Sequence, residues 1–141
     1  MSIKDAIDLL FAARERIDFY WNFYVVVVVA VVGWVVTRKE RLSPSGKILV
    51  SVAYVVAAVT NLAGLFAAYT LAEALRADVL RMTFASPLTD TRVILAQHSY
   101  LSQRTGAFLV HIVVGATILL VVWRANRQPD TNSVESGTRG P

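Results

Sequence analysis

The sequence predicts an all-α, multi-pass membrane protein with three long helices in an up-down-up bundle and a juxtamembrane helical extension. Its 141 residues are 55% apolar, with a mean hydropathy of +0.53, an apolar share above that of ordinary soluble domains. Residues 19–37, 48–72 and 105–123 carry no Asp, Glu, Lys or Arg, and about 20 apolar residues cross roughly 30 Å of hydrocarbon. All four prolines lie between or after these spans, as expected for a residue that disrupts helix interiors.

The first helix is predicted from Ser2 to Thr37, because neither glycine nor proline interrupts residues 2–32. A cleaved signal peptide is a poor alternative, since the leader is acidic and no small-residue cleavage site follows the span. A second alternative is that residues 2–18 form an amphipathic helix lying flat on the bilayer. We favour a helix that protrudes into water, because nothing in the sequence breaks it before the span.

The second helix is predicted from Lys47 to Phe84, after a turn that contains Pro44. One stripe along it is made of small or amide residues inside the span and of larger apolar residues beyond it. Small residues permit close helix packing in lipid, where no hydrophobic drive operates between helices. The predicted packing seam is Ala57, Asn61, Gly64, Ala68, Leu71 and Leu75.

The third helix is predicted from Asp90 to Arg127, with Thr89 or Asp90 as its N-cap. Each of the three helices is then about 55 Å long and exceeds the hydrocarbon by about 25 Å. The excess forms a water-side extension of residues 2–18 and 73–104. The composition after residue 127 turns to polar, proline and glycine residues, which predicts a disordered tail over 128–141.

Charged and aromatic side chains are predicted to mark the helix surfaces and the membrane boundaries. Close spacing on a helix allows ion pairs, and the candidate pairs are Lys4–Asp8, Arg14–Asp18, Glu73–Arg76 and Asp78–Arg81. Aromatic belts are typical of membrane interfaces. The predicted belts are Tyr20, Trp21, Tyr24, Tyr69 and Tyr100 at one boundary, and Trp34, Tyr54 and Trp123 at the other.

The orientation is predicted from the density of basic residues, because the 14 basic residues divide evenly between the two sides. Four of them crowd the short first connection, namely Arg38, Lys39, Arg41 and Lys47. Basic residues in short loops favour the cytoplasmic side. We therefore expect a plasma or bacterial inner membrane, with the N-terminus outside and the C-terminus inside.

Three polar residues inside the spans are the candidate functional residues: Thr60, Asn61 and His111. Such residues either hydrogen-bond a neighbouring helix or line a polar path. His98 and His111 lie thirteen residues apart on one predicted helix, which separates them by about 20 Å. One chain is therefore not expected to bind haem through this pair, and no cofactor is predicted.

The sequence does not predict an enzyme. It has no glycine-rich phosphate loop and no hydrolase or metalloprotease motif, and without cysteine it has no thiolate ligand or cysteine nucleophile. No catalytic, cofactor-binding or metal-binding residue is predicted, and the basic residues form no nucleic-acid stripe.

The predicted function is a non-enzymatic interaction or accessory subunit in a membrane assembly. Its expected partners are the lipid bilayer and either another copy or another membrane protein. The alternative is a small homo-oligomeric ion channel or membrane-permeabilising effector, in which Thr60, Asn61 and His111 line a pore between subunits.

Overall fold

The computed structural model describes residues 2–38, 42–83, 89–97 and 99–124, of which 95% are helical and none are in strands. The helices are α1 (Ile3–Thr37), α2 (Pro44–Met82), α3 (Thr89–Gln97) and α4 (Tyr100–Arg124). Of these, α1, α2 and α4 are long and apolar enough to cross a membrane. The predicted all-α membrane fold is confirmed, whereas the up-down-up order stays a prediction. The predicted tail, 128–141, lies outside the described residues.

Helix α1 is continuous from the polar leader through the first apolar span, as the sequence predicts. Its first turn is held by a capping box. The Ser2 hydroxyl accepts a hydrogen bond from the Asp5 amide at 3.1 Å, and the Asp5 carboxylate accepts one from the Ser2 amide at 2.9 Å. These bonds satisfy backbone donors that have no partner inside the helix.

Helix α2 begins earlier than predicted, because Pro44 occupies its first turn instead of the preceding loop. Proline is tolerated there, since the first amides of a helix have no carbonyl partner within it. Ser43 is the N-cap, and its hydroxyl accepts a hydrogen bond from the Gly46 amide at 3.1 Å. The helix ends at Met82, two residues before the predicted end.

The prediction of one continuous third helix is wrong, because the chain forms two helices in this region instead of one. Helix α3 ends at Gln97 and α4 begins at Tyr100. The Ser99 hydroxyl accepts a hydrogen bond from the Leu101 amide at 3.3 Å, and a serine bonded to nearby backbone competes with helix continuation. His98 and residues 125–127 lie outside the described part of the chain.

Two apolar clusters hold the long helices together. The first joins the N-terminal half of α1, the C-terminal half of α2 and the beginning of α4: Leu10, Ala13, Ile17, Leu65, Ala68, Tyr69, Ala72 and Ala107. The second joins the other halves of α1 and α2 to the end of α4: Val35, Tyr54, Ile118 and Val122. Lys47 Nζ also donates a hydrogen bond to the Trp123 carbonyl at 3.2 Å, which fastens the start of α2 to the end of α4.

Two of the four predicted ion pairs form. Arg76 pairs with Glu73, and Arg81 pairs with Asp78 at 3.1 Å. The other two predictions are wrong, since the described ion pairs include neither Lys4–Asp8 nor Arg14–Asp18. All four of these side chains are exposed, and solvated helix pairs gain little from contact.

Candidate functional site

A buried aromatic and polar cluster lies between the three long helices, with His111 of α4 at its centre. His111 is 5% exposed, and its ring stacks on Tyr24 of α1 with the centroids 3.9 Å apart and the planes 24° apart. The Trp21 ring lies 5.4 Å from the same imidazole at a tilted angle. Two aromatic residues one turn apart on α1 therefore form a wall against which the imidazole packs.

The hydrogen bonds of His111 fix its tautomer. Nδ1 lies 2.8 Å from the Ala107 carbonyl oxygen, which can only accept, so Nδ1 carries the hydrogen and donates it. In the neutral ring Nε2 is then an acceptor, and it receives a hydrogen bond from Asn61 Nδ2 at 3.2 Å. Both ring nitrogens are thus occupied by partners within the chain.

Asn61 of α2 is 3% exposed and is the polar link between α2 and α4. Its orientation follows from the imidazole, because the lone pair on Nε2 would repel the amide oxygen. The Oδ1 atom points elsewhere and has no hydrogen-bond partner among the described residues. Buried polar atoms without a partner are rare in folded proteins, so this oxygen is a costly feature of the cluster.

Two further hydrogen bonds extend the cluster between α1 and α2. The Tyr24 and Tyr54 hydroxyl oxygens lie 3.2 Å apart, and Trp21 Nε1 donates to the Tyr69 hydroxyl at 3.1 Å. Tyr24, Tyr54 and Tyr69 are each under 5% exposed. The predicted aromatic belts stay a prediction; the structure adds that each of these three phenols has a hydrogen-bonding partner inside the bundle.

The structure brings together two of the three candidate polar residues and separates the third. Asn61 and His111 bond to each other inside the bundle, whereas Thr60 is exposed on its outer face. Thr60 and Asn61 both border an outer cavity of about 330 Å³, together with Phe19, Tyr20, Phe23 and Ala57. A hydrogen bond between Asn61 and His111 is what the interpretation as interhelical packing predicts.

Most of the candidate packing seam on α2 does lie against neighbouring helices. Asn61 and Ala68 are buried, Ala57 and Gly64 are half-buried, and Leu75 packs against the first cluster. Leu71 lies outside the seam, with 42% of its surface exposed, while Ala72 is fully buried. The buried position at this level of α2 is therefore Ala72 instead of Leu71, so the buried face shifts by one residue where the span passes into the extension.

Gly64 of α2 lies directly against the Tyr20 ring of α1. A Cβ atom placed on it would lie 2.5 Å from Cε1 and Cζ of the Tyr20 ring and 2.7 Å from its hydroxyl oxygen. No side chain larger than hydrogen fits unless Tyr20 moves. The small residue predicted from the sequence thus has a specific partner.

A polar clip in the extension joins α2 to the junction between α3 and α4. The Glu73 carboxylate accepts hydrogen bonds from Arg76 and from the Tyr100 amide, the latter at 3.0 Å. Arg76 Nη1 donates to the Leu95 carbonyl at 2.8 Å. The hydrogen bond from Arg76 lowers the pKa of Glu73, and the one to Glu73 raises the pKa of Arg76.

The sequence does not predict the clip as a tertiary contact. The sequence indicates an i,i+3 pair on an exposed charged face, whereas these side chains are 20% and 14% exposed. The partners on α3 and α4 are backbone groups, which no side-chain pattern can reveal. To predict the clip, one would need to know that the helix breaks near Ser99. That break leaves the Leu95 carbonyl and the Tyr100 amide free to bond with α2.

These residues suit packing better than covalent chemistry, since their polar atoms mainly bond to one another. Within the described ranges, no group of three or more His, Asp or Glu side chains is placed to hold a metal ion. No family model, curated protein or solved structure matches the chain. The geometry of its residues is therefore the basis for a functional proposal.

Proposed function

We propose that the protein is a non-enzymatic accessory subunit that docks another membrane protein through the surface of its water-side extension. The observation that carries this proposal is the exposure of Phe11, at 61% of its surface. Phe11 lies eight residues before the span that begins at residue 19, which places it about 12 Å beyond the span along a helix axis. A large aromatic side chain at that height faces water until a partner covers it.

Leu9 lies two residues before Phe11 and therefore on another side of α1, with 49% of its surface exposed, and Leu71 lies in the last turn of the second span, next to the extension, with 42% exposed. Exposed apolar side chains are common singly, but aromatic residues are enriched where protein partners bind. The outer valines of the spans, including Val25 and Val26, are exposed too. Those side chains are suited to lipid and do not require a protein partner.

The test is recovery of crosslinked partners from the protein's own membrane. Phe11→Asp and Leu71→Asp are expected to abolish recovery while membrane insertion persists, because an aspartate at either site cannot be desolvated cheaply. Ala12→Asp and Ala74→Asp are matched controls, since both alanines are exposed on the same helices. Unchanged recovery in both test variants would reject the proposal.

Leu75→Asp serves a different purpose, because Leu75 packs against the first apolar cluster. It is expected to break the extension itself. The double variant Leu71→Asp/Leu75→Asp therefore shows how much partner recovery is lost when the extension is disrupted as a whole. The mass of the crosslinked product distinguishes a second copy from a different membrane protein.

A homo-oligomeric channel is the alternative, and the exposure of Thr60 in the middle of a span favours it. In that case the wild-type protein conducts ions in liposomes, and Thr60→Val reduces the flux. Asn61→Leu and His111→Ala are expected to alter flux only if the bundle opens, because both native residues are buried. Absence of flux from the wild-type protein in every tested gradient would exclude the channel.

A further inference from the structure

A cleft of about 350 Å³ opens between α1, α2, α3 and α4 in the water-side half of the molecule. Among the described residues that line it, the charged ones are Arg14 and Asp18, which lie one turn apart on α1. Trp21, Tyr69, Tyr100 and Gln103 supply most of the remaining polar and aromatic lining. The volume is within the range of small-molecule sites, about 300–1,000 Å³.

The charges in this cleft are of opposite sign and form no ion pair with each other. No ion pair or hydrogen bond engages the side chain of Arg14 or Asp18 within the described ranges. Helix neighbours at this spacing have Cβ atoms about 5–6 Å apart. The cleft therefore offers a cation and an anion side by side, each available to an external group.

The aromatic part of the cleft is held in place. Trp21 Nε1 donates a hydrogen bond to the Tyr69 hydroxyl, so the two rings are fixed relative to each other. Since that hydroxyl accepts from Trp21, its own hydrogen remains a donor on the cleft wall. The Tyr100 amide is bonded to Glu73, which anchors the opposite wall to α2.

The height of the cleft matches a membrane boundary. Asp18 is the last charge before the span that begins at residue 19, and Tyr69 lies in the last turn of the span that ends at residue 72. Tyr100 precedes the third span by five residues. The lining thus lies within about one or two helical turns of the level where lipid headgroups meet the hydrocarbon.

The geometry points to a binding site for the zwitterionic headgroup of a phospholipid, a phosphate ester that carries an ammonium group. The Arg14 guanidinium is the partner for the phosphate, because its fork of donors matches phosphate oxygens. The Asp18 carboxylate and the aromatic rings are the partners for the ammonium, which binds to ring faces through cation–π attraction. This site is independent of the docking surface proposed above.

Native mass spectrometry of the full chain in mild detergent tests the site. We titrate phosphatidylethanolamine against phosphatidylglycerol with identical acyl chains, since both carry the phosphate and only the former carries the ammonium. The wild-type protein is expected to bind phosphatidylethanolamine at least several-fold more tightly. Equal binding of the two lipids would overturn the proposal.

Variants assign the binding to the cleft. Asp18→Asn is expected to remove the preference for phosphatidylethanolamine, and Arg14→Gln to weaken binding of both lipids several-fold. Glu15→Gln and Arg16→Gln change the same charges at exposed neighbours that do not line the cleft, and are expected to leave binding unchanged. If these controls act as strongly as the cleft variants, net charge explains the binding and the site is refuted.

A competition arm identifies the source of the headgroup. Soluble glycerophosphoethanolamine that displaces the lipid supports a site in which the zwitterion suffices. Failure to displace it, with the preference for phosphatidylethanolamine intact, supports a site for the intact lipid. Circular dichroism of each variant verifies that the helices are retained.

Discussion

Substitution of Gly64 by alanine is expected to disturb the contact between α1 and α2 through one identifiable clash. The added Cβ would lie 2.5 Å from the Tyr20 ring, whereas ordinary contacts begin near 3.4 Å, so the ring must retreat by about 0.9 Å. A tyrosine ring is rigid and moves as a unit, and Tyr20 packs against the first apolar cluster. Overpacking of this kind costs about 1–3 kcal/mol.

The expected net effect is smaller than the clash itself, because alanine is a better helix former than glycine by about 1 kcal/mol. We therefore expect Gly64→Ala to destabilise the bundle by about 0–2 kcal/mol. Gly33→Ala and Gly106→Ala are matched controls, since a Cβ at either position meets nothing within 4 Å. These controls receive the helix-forming gain without the clash.

Reversible unfolding in mixed micelles, followed by circular dichroism, measures these differences. Tyr20→Ala removes the ring that the added Cβ would meet. In the Tyr20→Ala background, Gly64→Ala is therefore expected to lower the free energy of unfolding by about 1–3 kcal/mol less than it does in the wild-type protein. Two results would refute the reasoning: equal stability of Gly64→Ala and Gly106→Ala, or no coupling between Gly64 and Tyr20.

Three other predictions address the clip, the buried cluster and the orientation. Because Arg76 lowers the pKa of Glu73 below its usual 4.5, the clip contributes stability above about pH 4.5, and this stability is lost as the pH falls. Glu73→Gln is expected to lower the free energy of unfolding by about 1–2 kcal/mol at neutral pH, to flatten its dependence on acid pH and to speed amide exchange at the start of α4. Unchanged exchange there would contradict the clip. A double-mutant cycle of Asn61→Ala and His111→Ala is expected to give a coupling of about 0.5–1.5 kcal/mol. Nitrogen NMR is expected to show the ring hydrogen on Nδ1, and a hydrogen on Nε2 alone would show that the assigned bonds are wrong. A cysteine introduced by Ser45→Cys is expected to react with impermeant reagents only from the cytoplasmic side, and labelling from outside would reverse the predicted orientation.

The helix content and the length of α1 were predictable because they depend on local features. The unbroken α1 follows from the absence of glycine and proline over residues 2–32, and its buried stripe follows from the spacing of Ala6, Leu10, Ala13 and Ile17. The break between α3 and α4 was not predictable in the same way. Besides the local hydrogen bond at Ser99, it involves the Leu95 carbonyl and the Tyr100 amide, whose partners, Arg76 and Glu73, belong to another helix.

The candidate site was predictable in its members and unpredictable in its arrangement. Asn61 and His111 stand out as polar residues within apolar spans, but their bond to each other depends on how α2 packs against α4. The sequence does not show which partner the hydroxyl groups of Tyr24 and Tyr54 bond to. A phenol in a membrane helix can hydrogen-bond either a lipid headgroup or a group inside the bundle. Only the helix packing decides between them.

The sequence by itself determined that this chain forms three apolar helices long enough to cross a membrane, since span length and charge exclusion are one-dimensional properties. It also determined where small residues permit close packing. The tertiary structure alone decided that His111 stacks on Tyr24, that Gly64 receives the Tyr20 ring, and that Arg14 and Asp18 share a cleft with aromatic walls. Each of these contacts depends on how one helix is rotated and shifted along its axis relative to another. The same sequence pattern is compatible with several such packings, and each would bring different side chains together.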